Sequence, residues 1–355
     1  MKNTSGFTAA RVEASAGFSS DSSDSTFAQQ PATRAVLHFS VVVCAYSFNR
    51  WDELLLAVQS LEAQSFRPLE VIVVIDHNAQ LFAQAGQVLT RTDAAVAVQV
   101  LENRFERGLS GARNSGLRQA RGEVIAFLDD DAIAASDWLE RLSAAYHDPN
   151  TLGVGGQIVP AWRGPSPDWF PPEFYWVIGC TYLGLPEQTS PVRNMIGANM
   201  SFRRTAFDGL EFRSGLGRIG TVPLGGEETD LCIRAARKFP NGVILYEPSA
   251  SVSHLVTAER AQWRYFMRRC YAEGISKAAI SRFVGSQSGL SSERSYVAKV
   301  LPRGVWTGLL QTLRGRGWAG ASRAVAIVAG LAATAVGYAI GLFKTRNAQP
   351  VPEVA

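Results

Sequence analysis

Three aspartates in succession, Asp129, Asp130 and Asp131, close the stretch "EVIAFLDDDA" directly after an apolar run. Side by side, their charges repel and call for a compensating cation. Mg²⁺ or Mn²⁺ would serve, since both prefer oxygen ligands and commonly take one or two carboxylates together with phosphate oxygens. The plainer reading is a helix start or a solvated turn. A second acidic group, Glu227, Glu228 and Asp230 in "GGEETD", stands where a helix begins. It either compensates the helix dipole or supplies a general base for an attacking hydroxyl.

Three weaker signals accompany them. Glycines 108, 111 and 116 in "NRFERGLSGARNSG" would let a backbone approach a diphosphate, or let a helix pack closely on a strand. Their spacing matches neither a P-loop nor an unbroken dinucleotide fingerprint. Asp76 ends the run "EVIVVID" and could accept from a base or ribose, or merely cap a turn. His254 is either a satisfied core residue or, as neutral imidazole, a metal ligand beside Asp131.

The elements that must position these residues follow from periodicity. "FSVVVC", "LEVIVVID", "AVAVQVLEN" and "EVIAFLDDDA" are short apolar strands separated by helical stretches such as "RWDELLLAVQSLEAQ". That alternation predicts an α/β fold with a parallel sheet covered on both faces, ligands lying beyond the strands' carboxyl ends. Further strands are expected at "VRNMIGANMSFRR" and "GVILYEP", and a basic, aromatic helix at "ERAQWRYFMRRCYAEGISKAAI". Residues 162–191 crowd Pro, Trp, Phe and Tyr without a clean period. They form either an acceptor platform including Trp169 or a second lobe's own core.

Composition bounds the rest. In 355 residues, 46% are apolar, and 35 Lys plus Arg face 31 Asp plus Glu. A net +4 so dispersed does not point to nucleic acid. Four cysteines without a C-x-x-C pair suggest a reducing compartment and no structural zinc. Residues 1–35, rich in Ser, Ala, Thr and Gln and lacking an apolar core, read as a disordered tail rather than a secretion signal. Residues 324–343 hold twenty uncharged residues, as a helix about 30 Å, one hydrocarbon thickness. A transmembrane helix is the favoured reading there, with an in-plane or buried soluble helix competing. Residues 286–323 are a linker with an interfacial helix, and 344–355 a short tail.

Taken in order, "SVVVCAYSFNRWDELLLAVQSLEAQ", "VIVVID", "GLSGARNSG", "AFLDDDA", "GANMSFRR", "GGEETDLCIR" and His254 resemble an inverting family 2 glycosyltransferase of the GT-A fold. The resemblance covers residues 38–283 and implies a GT-A domain over 36–285, nucleotide-sugar-binding to 135 and acceptor-binding from 136. It implies that Ala45, Arg50, Asp76, Arg113 and Asp129 line the nucleotide-sugar pocket, Asp130 beside them without a role of its own. Asp131 and His254 would hold Mg²⁺ or Mn²⁺, and Ala198, Asn199 and Met200 would lie near the donor sugar and acceptor. The family's usual Glu–Asp pair is here Glu227–Glu228. That makes Glu228 the expected base, Glu227 its support and Asp230 the alternative. The implied partners are a nucleotide-diphosphate sugar, a glycan or lipid-linked acceptor and the cytoplasmic side of the cell membrane. Two other classes remain: a non-catalytic nucleotide- or sugar-binding protein on this scaffold, and, less favoured, a nicotinamide-dependent oxidoreductase.

Overall fold

A computed structural model describes residues 37–90, 92, 95–217, 225–285, 291–315 and 317–345. The expected N-terminal tail and most of the C-terminal tail lie outside these residues.

The first half alternates strand and helix: β1 (Phe39–Ala45), α1 (Trp51–Glu62), β2 (Glu70–Ile75), α2 (Ala79–Leu89), β3 (Val98–Glu102), α3 (Leu109–Gln119) and β4 (Val124–Asp129). The strands pair in parallel in the order β3-β2-β1-β4. Their apolar runs are continuous because both faces are covered. Val41 and Val43 of β1 join Leu54, Ala57, Val58 and Leu61 of α1 in one core, whereas Val42 joins Ala112 of α3 in another. Alternate residues thus feed opposite layers, as the two-residue strand period requires.

The second half contains β5 (Ala132–Ala134), α4 (Trp138–Ala145), β6 (Thr151–Trp162), β7 (Ser190–Pro191), β8 (Asn199–Arg203), α5 (Glu227–Lys238), β9 (Val243–Val256) and α6 (Trp263–Val284). Here β8 runs antiparallel between β4 and β6, β9 lies parallel to β6, and β5 and β7 pair antiparallel with β9. The sheet is therefore mixed beyond β4.

Only Asp130 and Asp131 separate β4 from β5, although three strands intervene in the sheet order. Four flat steps of about 4.8 Å would span roughly 19 Å, whereas three Cα–Cα virtual bonds reach at most about 11 Å. The sheet must curl, and the acidic run is its seam.

Two departures from the sequence expectations concern the ribbon β6–β9. β6 has no legible period because Gly153, Gly155 and Gly156 occupy it; side chains there would strike Met195, Phe202 and the Ala250 carbonyl. β9 does not stop at "LYEP" but continues through a register shift, in which Gly156 faces Glu247 and Gln157 faces Ser251. Asn199 fills that irregularity. Its Nδ2 donates to the carbonyls of Gln157 and Ala250, 2.9 Å each, while Oδ1 accepts from Trp138 Nε1.

After α6 come a short turn of helix, α7 (Ser291–Ser295), one π turn (Tyr296–Val300), α8 (Leu301–Leu313) and α9 (Ala319–Thr345). The apolar segment expected at 324–343 lies within α9, which packs lengthwise on α6. A Cβ at Gly274 would meet the Thr334 carbonyl at 2.1 Å, and one at Gly337 the Tyr271 carbonyl at the same distance. Its opposite face, from Val325 and Val328 through Ala332 and Val336 to Leu342 and Phe343, is exposed and uncharged.

Candidate active site

The carboxyl ends of β1, β2 and β4, the start of α5, and α6 to α9 enclose a cleft of about 690 Å³. Ala45, Arg50, Asp76, Arg113, Asp129, Asp130, Asp131, Ala198, Glu227, Glu228 and His254 all line it. Residues drawn from across 210 positions of sequence are thereby gathered on one surface. Four others are not. Asn199 is taken up by the ribbon, Met200 lies in the core behind β8, and Asp230 is fully buried against Arg234, 2.7 Å, and Arg213. Trp169 packs among Phe170, Trp263 and Phe266, so it serves the second lobe's interior instead of the cleft. The aromatic residues that line the cleft include Trp176, Tyr182, Tyr265, Tyr296 and Tyr338.

Positive charge meets each aspartate. Arg50 Nη1 donates to Asp130 Oδ1 at 2.7 Å and lies 3.1 Å from Asp131 Oδ2. Arg260 Nη2 reaches the same Asp131 oxygen at 3.1 Å. Arg113, itself buried, donates to Asp129 at 3.3 Å, to Glu227 at 2.6 Å and to the Gly197 carbonyl at 3.1 Å. Burial works to raise the Asp131 carboxyl, but His254, Arg260 and Arg50 overcome it and hold it well below the usual range. Asp130 is pushed up to about 6, burial outweighing Arg50, with Asp131 adding repulsion. Asp130 therefore acquires a place: it anchors Arg50.

Asp131 Oδ1 is buried, and the group facing it is His254 Nε2 at 3.1 Å. Ligand atoms of Asp129, Asp131 and His254 lie within 4.8 Å of one another. Two carboxylates and one imidazole, brought together with a buried Asp131 oxygen among them, form a donor set suited to a divalent ion.

Asp76 is held by Asn103 Nδ2 at 2.7 Å and the Gly108 amide at 3.0 Å. Gly108 has φ 130°, open only to glycine, and turns its N–H onto that carboxylate. Gly116 sits where a Cβ would strike Val42 at 2.4 Å, so tight helix packing accounts for it. At the start of α5, Gly226 with φ 97° turns the chain so that Glu227 enters the interior and Glu228 stays half-buried at the cleft. Burial first, and Glu227 second, push Glu228 up to about 8 against the pull of Arg113.

Residues 40–210 match the family model "Glycosyl transferase family 2". The glucosyl-dolichyl phosphate glucuronosyltransferase of Haloferax volcanii is 33% identical over 307 residues, 85% of this chain and 96% of its own. The chain belongs to glycosyl transferase family 2. This family 2 glycosyltransferase is also 26% identical to the succinoglycan biosynthesis protein ExoM of Rhizobium meliloti over 241 residues, covering 67% of this chain and 73% of the relative. In fold it is similar to a mannosyltransferase from Pyrobaculum calidifontis solved with GDP-Man and Mn²⁺, with a TM-score of 0.55 at 17% identity, over 85% and 87% of the two chains. The glycosyltransferase thus has the GT-A architecture, and the binding-protein and oxidoreductase alternatives fall away.

Sequence reasoning missed Arg260 as a partner of Asp131, reading it only as part of a basic, aromatic helix. It also missed a charged cluster of Arg193, Arg269, Glu273, Lys277 and Glu293 in the same cleft. On α6 the i, i+4 spacing of 269, 273 and 277 was the available signal.

Proposed function

We propose that this enzyme is an inverting transferase that moves a sugar from a nucleoside-diphosphate sugar to an acceptor hydroxyl, with Glu228 as the base. The observation that carries it is placement: Glu228 faces the cleft that also contains Asp76 and the Asp129, Asp131 and His254 donor set. Asp76 and Arg113 hold the nucleotide, and Asp129 lies toward the ribose. Asp131 and His254, with Asp129, would hold Mg²⁺ or Mn²⁺, which supplies positive charge to the departing diphosphate. Glu228 takes the acceptor's proton while the acceptor oxygen bonds to the anomeric carbon. The bond from that carbon to the diphosphate oxygen breaks on the opposite face, which inverts the centre. Arg113 holds Glu227 down, so the second carboxylate of the pair supports the first without competing for the acceptor.

The relatives' names suggest a glycan or a lipid-phosphate-linked sugar as acceptor and make a uronic-acid donor the first to test. Ala319–Phe343 is long and apolar enough to cross a membrane by length and composition. Its close packing on α6 favours a half-embedded helix lying on the bilayer, because a full crossing would carry the charged cleft face of α6 into hydrocarbon. We place the enzyme on the cytoplasmic side, in keeping with four free cysteine thiols. The test is thermal stabilisation by a panel of nucleotide sugars with Mg²⁺ or Mn²⁺, followed by product analysis with the best donor. Silence across the panel, or a product of retained configuration, would overturn the reading.

A further inference from the structure

The cleft has two ends of opposite charge. Around Asp131, three arginines (Arg50, Arg113, Arg260) face six carboxylates, those of Asp76, Asp129 to Asp131, Glu227 and Glu228. At the α6 end, three cations face two carboxylates. Arg193 makes a bidentate pair with Glu293 at 2.7 and 2.9 Å, Lys277 bridges Glu293 at 2.7 Å and Glu273 at 3.2 Å, and Arg269 reaches Glu273 at 3.1 Å. Side chains in this cluster are only 15–22% exposed. Among the described residues the cluster itself holds one more cation than carboxylates, in a low-dielectric wall where a further anion is favoured.

The neighbours on either side indicate which anion. On one side the cluster borders the base: Ser276 Oγ accepts from the Gly225 amide at 3.1 Å, and a Cβ on Gly225 would lie 3.3 Å from Arg269 Nη2. On the other, Glu293 leads directly into Tyr296, Val297, Val300 and Leu301, which line the cleft together with Leu331 and Tyr338 of α9. An apolar path thus runs from the cluster to the helix whose outer face is exposed and uncharged. A ligand that spans these three zones carries a sugar hydroxyl, then a single negative charge, then a hydrocarbon chain.

We propose that Arg193, Arg269 and Lys277 form the binding site for the phosphodiester of a lipid-linked sugar acceptor, its prenyl or acyl chain leaving between the Tyr296–Leu301 turn and α9. This rests on the transferase reading of the same cleft and names its acceptor class. One monoanionic phosphodiester balances the excess charge, and guanidinium groups suit its paired oxygens.

The experiment measures binding of three probes to the full chain: geranyl methyl phosphate, geraniol and dimethyl phosphate. Geranyl methyl phosphate is expected to bind at least about tenfold more tightly than either fragment, equal to one charge-assisted contact. Lys277→Gln and Arg269→Gln should each weaken it about tenfold and leave geraniol unchanged, with Lys277→Arg restoring it. Equal binding of geranyl methyl phosphate and geraniol, or variants without effect, would overturn the site. Dimethyl phosphate binding as tightly as the prenyl ester would overturn the lipid assignment. Should a variant fail to fold, the wild-type protein decides, because added NaCl must weaken geranyl methyl phosphate and spare geraniol. Donor turnover, measured in parallel, tests the transferase reading separately: turnover without probe discrimination sinks only the acceptor site.

Discussion

Arg113 and Glu227, 114 positions apart in sequence, meet in the interior with Nη1 2.6 Å from Oε1. The same guanidinium holds Asp129, so one side chain ties the end of β4 to the start of α5. Arg113→Ala leaves Glu227 buried without its cation and should cost about 3–5 kcal/mol, read by denaturant unfolding. Transfer should fall roughly 10²-fold through misplacement of the neighbouring base. Arg113→Lys, which loses the fork, should lie between.

The base assignment fixes a pH profile. Glu228 works deprotonated, and burial with Glu227 beside it pushes its carboxyl up to about 8. kcat/KM should therefore rise about tenfold per pH unit below 8 and level off above it. Glu228→Gln should lower transfer by about 10²–10⁴-fold, remove that slope and keep donor binding. A variant that retained the slope would move the base elsewhere.

Stability should respond with the opposite sign. A carboxyl raised on folding is protonated in the native state and ionised in the unfolded one between its two pKa values, so it weakens the fold progressively from pH about 4.5 to about 8. Glu228→Gln should match wild type near pH 4 and melt a few degrees higher at pH 8 to 9. Thermal scans at several pH values check this, and a pH-independent difference would refute it.

Removal of divalent ions should act through Asp131 and His254. Donor at about 100 times its Kd stabilises a native state by about 2.7 kcal/mol, and chelation should abolish most of that shift. Asp131→Asn and His254→Gln should show little metal-dependent shift to lose. A donor shift that survives chelation in the wild type would remove the ion from the binding step.

The outer face of α9 should be the membrane contact. Val328 and Val336 are 58% and 53% exposed, so Val328→Asp with Val336→Asp should leave the melting temperature nearly unchanged. Vesicle flotation should fall at least about tenfold, from two lost apolar contacts. Gly337→Leu, by contrast, should destabilise the fold, because the Tyr271 carbonyl occupies that space.

The parallel half was legible because β1, β2 and β4 are buried on both faces, which leaves an unbroken apolar run for the sequence to display. β6 was not, since the crowding that excludes side chains at Gly153, Gly155 and Gly156 also erases its pattern. Residue types offered Asp129, Asp131 and His254 as candidate ligands, and the family resemblance offered Glu228 as the candidate base; the structure brings all four to one cleft. Which cations answered the aspartates was hidden, because Arg50 and Arg260 lie 80 and 129 positions from their partners. Asn199 looked like part of a binding segment, yet its amide is spent on two carbonyls and an indole.

The two-residue seam between β4 and β5 has a consequence for how the molecule comes into being. Asp131 can face His254 only when β8, β6 and β9 have been laid between the two strands that flank it, which joins segments more than 100 positions apart. Such non-local pairing is the slow part of folding. A chain halted before β9 would carry Asp129 and Asp131 without His254 to face them, so affinity for a divalent ion is expected to report completion of the domain.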